Sequence, residues 1–219
     1  MRLRRTVARA VGGVFGLSVE VVGGPSPGPA VYVANHLGWL DVIALATLLD
    51  GRIVAKREIA SWPLLGRLIA SLGAVFVDRD VPYRVLRFLA EGEAALRAGH
   101  SVLVFPEGTS GDGAIPRPFR TGAFALAKRV DGTPIVPIHV AVARVGGVPA
   151  DAASARDMCW VGDEALVPSL GRVLRRGSVA LRVAFGPPID PTDLDRKHLA
   201  RVAHDAVRAL APEVPHASA

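Results

Sequence analysis

A chain of 219 residues, half of them apolar, is long enough to bury one substantial core and too short for two comfortable ones, so a single domain is expected. Charged residues make up 21% and aromatics 5%, which fits neither a disordered chain nor a fibrous repeat, and the lone Cys159 excludes both an intrachain disulfide and a cysteine-built metal cluster. The formal net charge of +6 suits a surface that meets phosphates or anionic lipid head groups.

Treated as a helix, residues 2 to 17 place Leu3, Val7, Val11, Val14 and Leu17 on one side, with Arg2, Arg5 and Arg9 clustered opposite. Residues 1–19 are therefore expected to be a basic amphipathic segment lying in the head-group region of a membrane. Arg9 interrupts the apolar run and no small-residue cleavage site follows, so it does not read as a secretory signal. The best candidate for a spanning helix, residues 30–49, holds Asn35, His36 and Asp41 in its middle, so peripheral attachment is expected.

From residue 20 to 212 short apolar runs alternate with segments of helical period. Val31 to Ala34 reads as a strand and Asp41 to Leu49 as a helix; Arg52 to Ala55 is followed by a helical stripe from Pro63 to Leu72. Ala74 to Val77 precedes a helix opened by Pro82, with Val85, Phe88, Leu89 and Leu96 at helical spacing. Ser101 to Phe105 is a buried-strand signal and Gly122 to Val130 looks helical. Pro134 to Val142 reads as a strand whose prolines argue for an edge or irregular position, and Gly146 to Ala155 is the loosest stretch. Val179 to Phe185 and Thr192 to Leu210 read as a last strand and a last helix, and residues 213–219 as a disordered tail. The alternation predicts an α/β fold: one domain, with helices flanking a central, largely parallel mixed sheet.

Polar residues punctuate the strand ends: Asn35 and His36 after one, Asp78 and Arg79 after another, Glu107 to Thr109 after a third. In open α/β sheets ligands bind outside the carboxyl ends of strands, so the three segments converge on one edge. Five residues apart on a helix, His36 and Asp41 point about 140° apart, so they meet only if His36 lies in the turn before the helix, which Gly38 permits. Such a pair fixes one imidazole tautomer and leaves the other nitrogen as a general base toward a hydroxyl. The spacing alone more readily fits a buried histidine satisfied by a local carboxylate. No G-x-S-x-G, Walker A, G-x-G-x-x-G or H-E-x-x-H pattern occurs, Cys159 beside Trp160 reads as a packing residue, and no metal site emerges. With no covalent nucleophile, direct attack by a substrate hydroxyl is favoured.

Asn35-His36 with Asp41, the run from Gly73 to Arg79, the run from Phe105 to Thr109, and Ile135 to Ile138 together resemble the four ordered blocks of the glycerolipid acyltransferase family, which includes 1-acylglycerol-3-phosphate O-acyltransferases. The resemblance covers roughly residues 20 to 145 and includes the link from Lys56 to Gly66. It implies that His36 is the general base, that Asp41 orients it, and that the hydroxyl attacks the thioester of acyl-CoA or acyl-acyl carrier protein, with no cofactor beyond that carrier. It further implies that Arg79, Glu107, Gly108 and Thr109 bind the acceptor's phosphate and head group, Glu107 by fixing Arg79 or a substrate hydroxyl. Many members continue the third block with arginine, whereas Thr109 is followed here by Ser110; this and the run from Trp160 to Asp163 resemble the lyso-ornithine lipid O-acyltransferase branch.

The expected function is transfer of a fatty acyl group to a lysolipid hydroxyl at the cytoplasmic face of the cell membrane, in phospholipid biosynthesis, with no nucleic-acid partner. The leading acceptor is 1-acyl-sn-glycerol-3-phosphate and the alternative lyso-ornithine lipid; of another class is a non-catalytic lipid-binding protein of the membrane surface. Outside the blocks, His139 is expected to be packed or hydrogen-bonded, His198, His204 and His216 solvated, Trp39 in the core, and Lys128 with Arg129 on a solvated helix face.

Overall fold

The computed structural model describes residues 2–56, 66, 70, 74–77, 82–162 and 164–212. Their elements in chain order are α1 (Arg2–Val14), β1 (Leu17–Val22), β2 (Val31–Ala34), α2 (Trp39–Leu48), β3 (Gly51–Lys56), β4 (Ala74–Val77), α3 (Pro82–Arg97) and β5 (Ser101–Val104). After a 3-10 turn (Thr121–Ala123) follow α4 (Phe124–Ala127), β6 (Ile135–Val145), β7 (Val148–Pro149), α5 (Ala152–Asp157), α6 (Leu166–Arg176), β8 (Val179–Phe185) and α7 (Arg196–Ala209).

The strands form one sheet in the order β1-β8-β6-β2-β5-β3-β4, with β7 paired to β6. β6, β2, β5, β3 and β4 run parallel, while β8 and its parallel partner β1 run against β6. This is the α/β architecture the alternation predicts. Every residue of β2 and β5 is buried, as expected for strands covered on both faces. Tyr32, Ala34, Leu103 and Phe105 pack with α1, α2 and α6 on one face; Val31, Val33, Val102 and Val104 pack with α3, α4 and α7 on the other.

Three sequence expectations are corrected. β6 sits inside the sheet, between β2 and β8, not at an edge. It tolerates Pro137 because that residue lies where β8 has ended: its carbonyl accepts from the Gly186 N–H at 2.9 Å, and a side chain on Gly186 would collide with the proline ring. The helix expected over residues 2 to 17 stops at Val14, and Leu17 opens β1, so the boundary expected at residue 19 cuts through a strand of the sheet. Its supposed single apolar side also divides: Ala8, Val7 and Val11 pack into the core, while Val14 is 69% exposed. Finally, α6 was not anticipated in the segment before the last strand. The helical stripe from Pro63 to Leu72 falls almost wholly outside the described residues, as does the tail 213–219.

Candidate active site

β2 and β5 are parallel neighbours, so Ala34 and Val104 end at the same edge and deliver Asn35-His36 and Phe105-Pro106-Glu107 side by side. Asn35 continues the β2 ladder with its side chain: Nδ2 donates to the Val140 carbonyl at 2.8 Å and Oδ1 accepts from the Val140 N–H at 2.7 Å. The main chain is thereby released from the sheet one residue before His36.

Residues 36–38 form the turn that precedes α2. Gly38 is its N-cap with φ 149°, a conformation that disfavours side chains, and a Cβ there would lie 2.7 Å from Cβ of Trp160. Asp41, fully buried in the first turn of α2, accepts backbone N–H groups from Leu37 and, at 3.0 Å, from Gly38. The same carboxylate meets His36 Nδ1 with Oδ1 at 3.2 Å and Oδ2 at 3.1 Å. The condition set by the five-residue spacing is met: the histidine lies in the turn and the aspartate on the helix. Nδ1 donates to the carboxylate, so Nε2 carries the free lone pair, and the ring stays 21% exposed while it stacks on Phe105 at 4.1 Å.

The backbone of His36 is held from both sides. Its N–H donates to Glu107 Oε1 at 3.0 Å, and its carbonyl accepts from the Gly111 N–H at 2.7 Å. Glu107 Oε2 accepts from the Arg117 N–H at 3.1 Å. Burial pushes the Glu107 carboxyl up from its ordinary value, against the pull of these two backbone donors. Glu107 thus clamps the base-bearing turn to the loop that carries Arg117. The partner expected for it, Arg79, lies outside the described residues. β4, which leads to Arg79, stands three strand steps from β2, about 14 Å at the usual spacing.

Gly108, at φ 79°, lies under the Arg120 guanidinium: a Cβ there would sit 2.7 Å from Nε and 2.8 Å from Cζ. Thr109 follows in the same turn, part-exposed, and Arg117 and Arg120 are exposed, so cationic charge stands over the backbone of the third block. Ser110 donates to the Trp160 carbonyl, and the Trp160 N–H donates to the Leu37 carbonyl at 2.8 Å. Arg172 in turn fixes this segment through Glu164, Asp157 and the Cys159 carbonyl.

Sequence reading brought His36, Asp41, Glu107, Gly108 and Thr109 to this edge, and the structure places all five there. It did not give roles to Asn35, Phe105 or Trp160. Cys159 is buried and its thiol is pushed up to about 12, which removes it as a nucleophile at neutral pH. His204, expected to be solvated, instead bonds the Pro116 carbonyl at 3.0 Å and meets Phe119 edge-on, tying α7 to the loop below Arg117. Trp39 is in the core as expected, edge-on to Phe15 and donating to Ser169 at 3.1 Å. Among the described residues no His, Cys, Asp and Glu cluster fit to hold a metal occurs.

Comparison with known proteins shows the family and the fold. A lyso-ornithine lipid O-acyltransferase of Brucella abortus is 33% identical over 217 residues, 95% of this chain and 81% of that protein. The protein of the same name from Pseudomonas aeruginosa is 36% identical over 194 residues, 87% of this chain and 70% of the relative. A 1-acyl-sn-glycerol-3-phosphate acyltransferase of Neisseria gonorrhoeae is 31% identical over 130 residues, 58% of this chain and 51% of the relative. The crystal structure of PlsC, the 1-acyl-sn-glycerophosphate (LPA) acyltransferase from Thermotoga maritima, matches with a TM-score of 0.65 at 21% identity, over 95% of this chain and 77% of that one, which shows a shared fold. Residues 18–141 match the family model described as Acyltransferase, a span that runs from β1 through β6 and contains the histidine, its carboxylate and the clamping glutamate; the chain belongs to that family.

Proposed function

We propose that this chain transfers a fatty acyl group from an acyl thioester, acyl-CoA or acyl-acyl carrier protein, to the free hydroxyl of a lysolipid, and that lyso-ornithine lipid is the acceptor. The observation that carries the reaction is His36 Nδ1 facing both oxygens of the buried Asp41, with Nε2 left at the open edge. Nε2 removes the proton of the acceptor hydroxyl as its oxygen bonds to the thioester carbonyl carbon. The tetrahedral intermediate collapses, the carbon–sulfur bond breaks, and the imidazolium returns its proton to the departing thiolate. Asp41 keeps the ring in the tautomer that can accept, and stabilises the imidazolium between the two steps. No side chain of the protein is acylated in this route.

The acceptor assignment draws support from the extent of similarity. The two lyso-ornithine relatives named above match along 95% and 87% of the chain, against 58% for the glycerol-phosphate enzyme. The basic loop favours a second reading, 1-acyl-sn-glycerol-3-phosphate, because Arg120 over the Gly108 backbone is a suitable seat for phosphate. An amino-acid carboxylate is also an anion, so the same seat serves the first reading. Arg79, Gly108 and Thr109 are assigned to the head group in either case. No helix among the described residues is long and apolar enough to cross a membrane, and the reading includes peripheral attachment at the cytoplasmic face.

The test is turnover of purified protein against both acceptors with each donor. Preferred acylation of lyso-ornithine lipid is expected. Preference for the glycerol phosphate would install the second reading, and lipid binding without transfer to any acceptor would leave a non-catalytic lipid-binding protein.

A further inference from the structure

We infer that α6 is a membrane-contacting helix and that, together with α1, it seats this enzyme on a bilayer containing anionic lipid; the inference builds on the lysolipid reading above. Ser169 and Val173 of α6 are fully buried, whereas Val167 is 76% and Leu174 50% exposed. Seven residues apart on a helix, those two point within about 20° of each other, so α6 turns an apolar pair outward, about a quarter turn from the side on which Leu166, Ser169, Leu170 and Val173 pack. Gly171 lies between them on the same side, and nothing among the described residues covers either side chain deeply.

Charge selects the occupant. α6 carries Arg172, Arg175 and Arg176, α1 carries Arg2, Arg4, Arg5 and Arg9, and neither helix contains an aspartate or glutamate. On the opposite face of the sheet the basic residues are interleaved with acidic ones: α3 sets Glu91 and Glu93 among Arg84, Arg87 and Arg97, and α7 sets Asp205 among Arg196, Lys197, Arg201 and Arg208. Arg172 and Arg176 are engaged with Glu164 and Asp157, but the exposed Arg175 makes no ion pair among the described residues. A second copy docking by the same surface would set arginine against arginine, which an isologous interface cannot relieve. An anionic lipid surface complements both the cations and the apolar pair.

Placement connects the surface to the chemistry. Trp39, the first residue of α2, touches Phe15 just beyond α1 and donates to Ser169 on α6, so both helices flank the start of the helix that carries Asp41. Val14, the last residue of α1, is 69% exposed on this same layer. A bilayer under α1 and α6 lies on the His36 side of the sheet, where a lysolipid would enter without leaving its own membrane.

The experiment compares wild type with Val167→Asp, Leu174→Asp and the double variant, all at exposed positions and checked for unchanged thermal midpoint. Sedimentation with phosphatidylglycerol/phosphatidylcholine vesicles should fall by about tenfold or more in the double variant, and transfer to lysolipid embedded in those vesicles should fall with it. Transfer to a short-chain acceptor in solution should stay at the wild-type rate. Wild-type binding should weaken as salt rises. A double variant that sediments like wild type overturns the inference, as does a wild-type dimer that the substitutions dissociate without changing vesicle binding. If no acceptor is acylated in any format yet the variants lose vesicle binding, the surface stands and the catalytic reading fails.

Discussion

Asn35 and Val140 are joined as if the asparagine side chain were one more residue of the sheet, donating at 2.8 Å and accepting at 2.7 Å. Ala34 is the last residue of β2 in register with β6, opposite Ile138. The side-chain pair extends that ladder while the main chain turns away, and this fixes where the His36 turn begins.

Asn35→Ala should leave the buried N–H and carbonyl of Val140 without partners. Unsatisfied buried groups cost about 1–3 kcal/mol each, so a loss of roughly 2 to 6 kcal/mol in unfolding free energy is expected, with a drop in kcat greater than any change in KM. Denaturant melts and steady-state kinetics check both. Wild-type kcat in the folded variant would show that the turn sets itself.

His36→Ala should lower acyl transfer by about 10²-fold or more, the usual scale of general-base catalysis. Asp41→Asn should also lower it, and should destabilise the fold, because Asp41 serves the backbone of Leu37 and Gly38 as well as the imidazole. If Asp41 acts on rate through His36, then adding Asp41→Asn to His36→Ala leaves the residual rate nearly unchanged while the thermal midpoint still falls. Independent, multiplying rate losses would assign Asp41 a contact with substrate.

Glu107 holds two backbone segments in a way that a near-isosteric change can read. Each oxygen accepts a backbone N–H, from His36 and from Arg117, so Glu107→Gln must point an amide NH2 at one of two donors. A stability loss of about 1–3 kcal/mol and a fall in kcat are expected. An unchanged melting midpoint with only a raised acceptor KM would instead mark Glu107 as a substrate ligand.

The legible parts of the sequence were those written in local chemistry. Val179 to Phe185 is found with the bounds its apolar run implies, and Pro82 opens α3 as its fixed φ allows. His36 and Asp41 were legible through the resemblance of their block to the family's first block; the glycine between them only permitted the turn that joins them. What was not legible depends on distant partners. Pro137 argued for an edge or irregular position because the space offered by Gly186, 49 positions on, has no local signature. Leu17 was taken into the N-terminal helix, and β1 was not anticipated, because its pairing with β8 closes only at the far end of the chain. Glu107 was expected to fix Arg79 or a substrate hydroxyl; its partners among the described residues are backbone N–H groups, which every residue type but proline carries and no sequence pattern announces.

His139 supplies a prediction in pH. It is 4% exposed on β6, its Nδ1 has no hydrogen-bond partner among the described residues, and burial, with help from Arg182, pushes its pKa down from 6.5 to about 4. The folded protein therefore holds this imidazole neutral, while the unfolded chain binds a proton below about 6.5. A depressed folded pKa means that stability is intact above the unfolded value and is lost as pH falls toward the folded one. Between pH 6.5 and 4 this residue should remove about 3 kcal/mol of unfolding free energy, more steeply than carboxylates alone would at the upper end of that range. Denaturant melts of wild type and His139→Leu across that range measure it. The variant should flatten the decline between pH 6.5 and 5, and parallel curves for the two proteins would show that His139 does not set it.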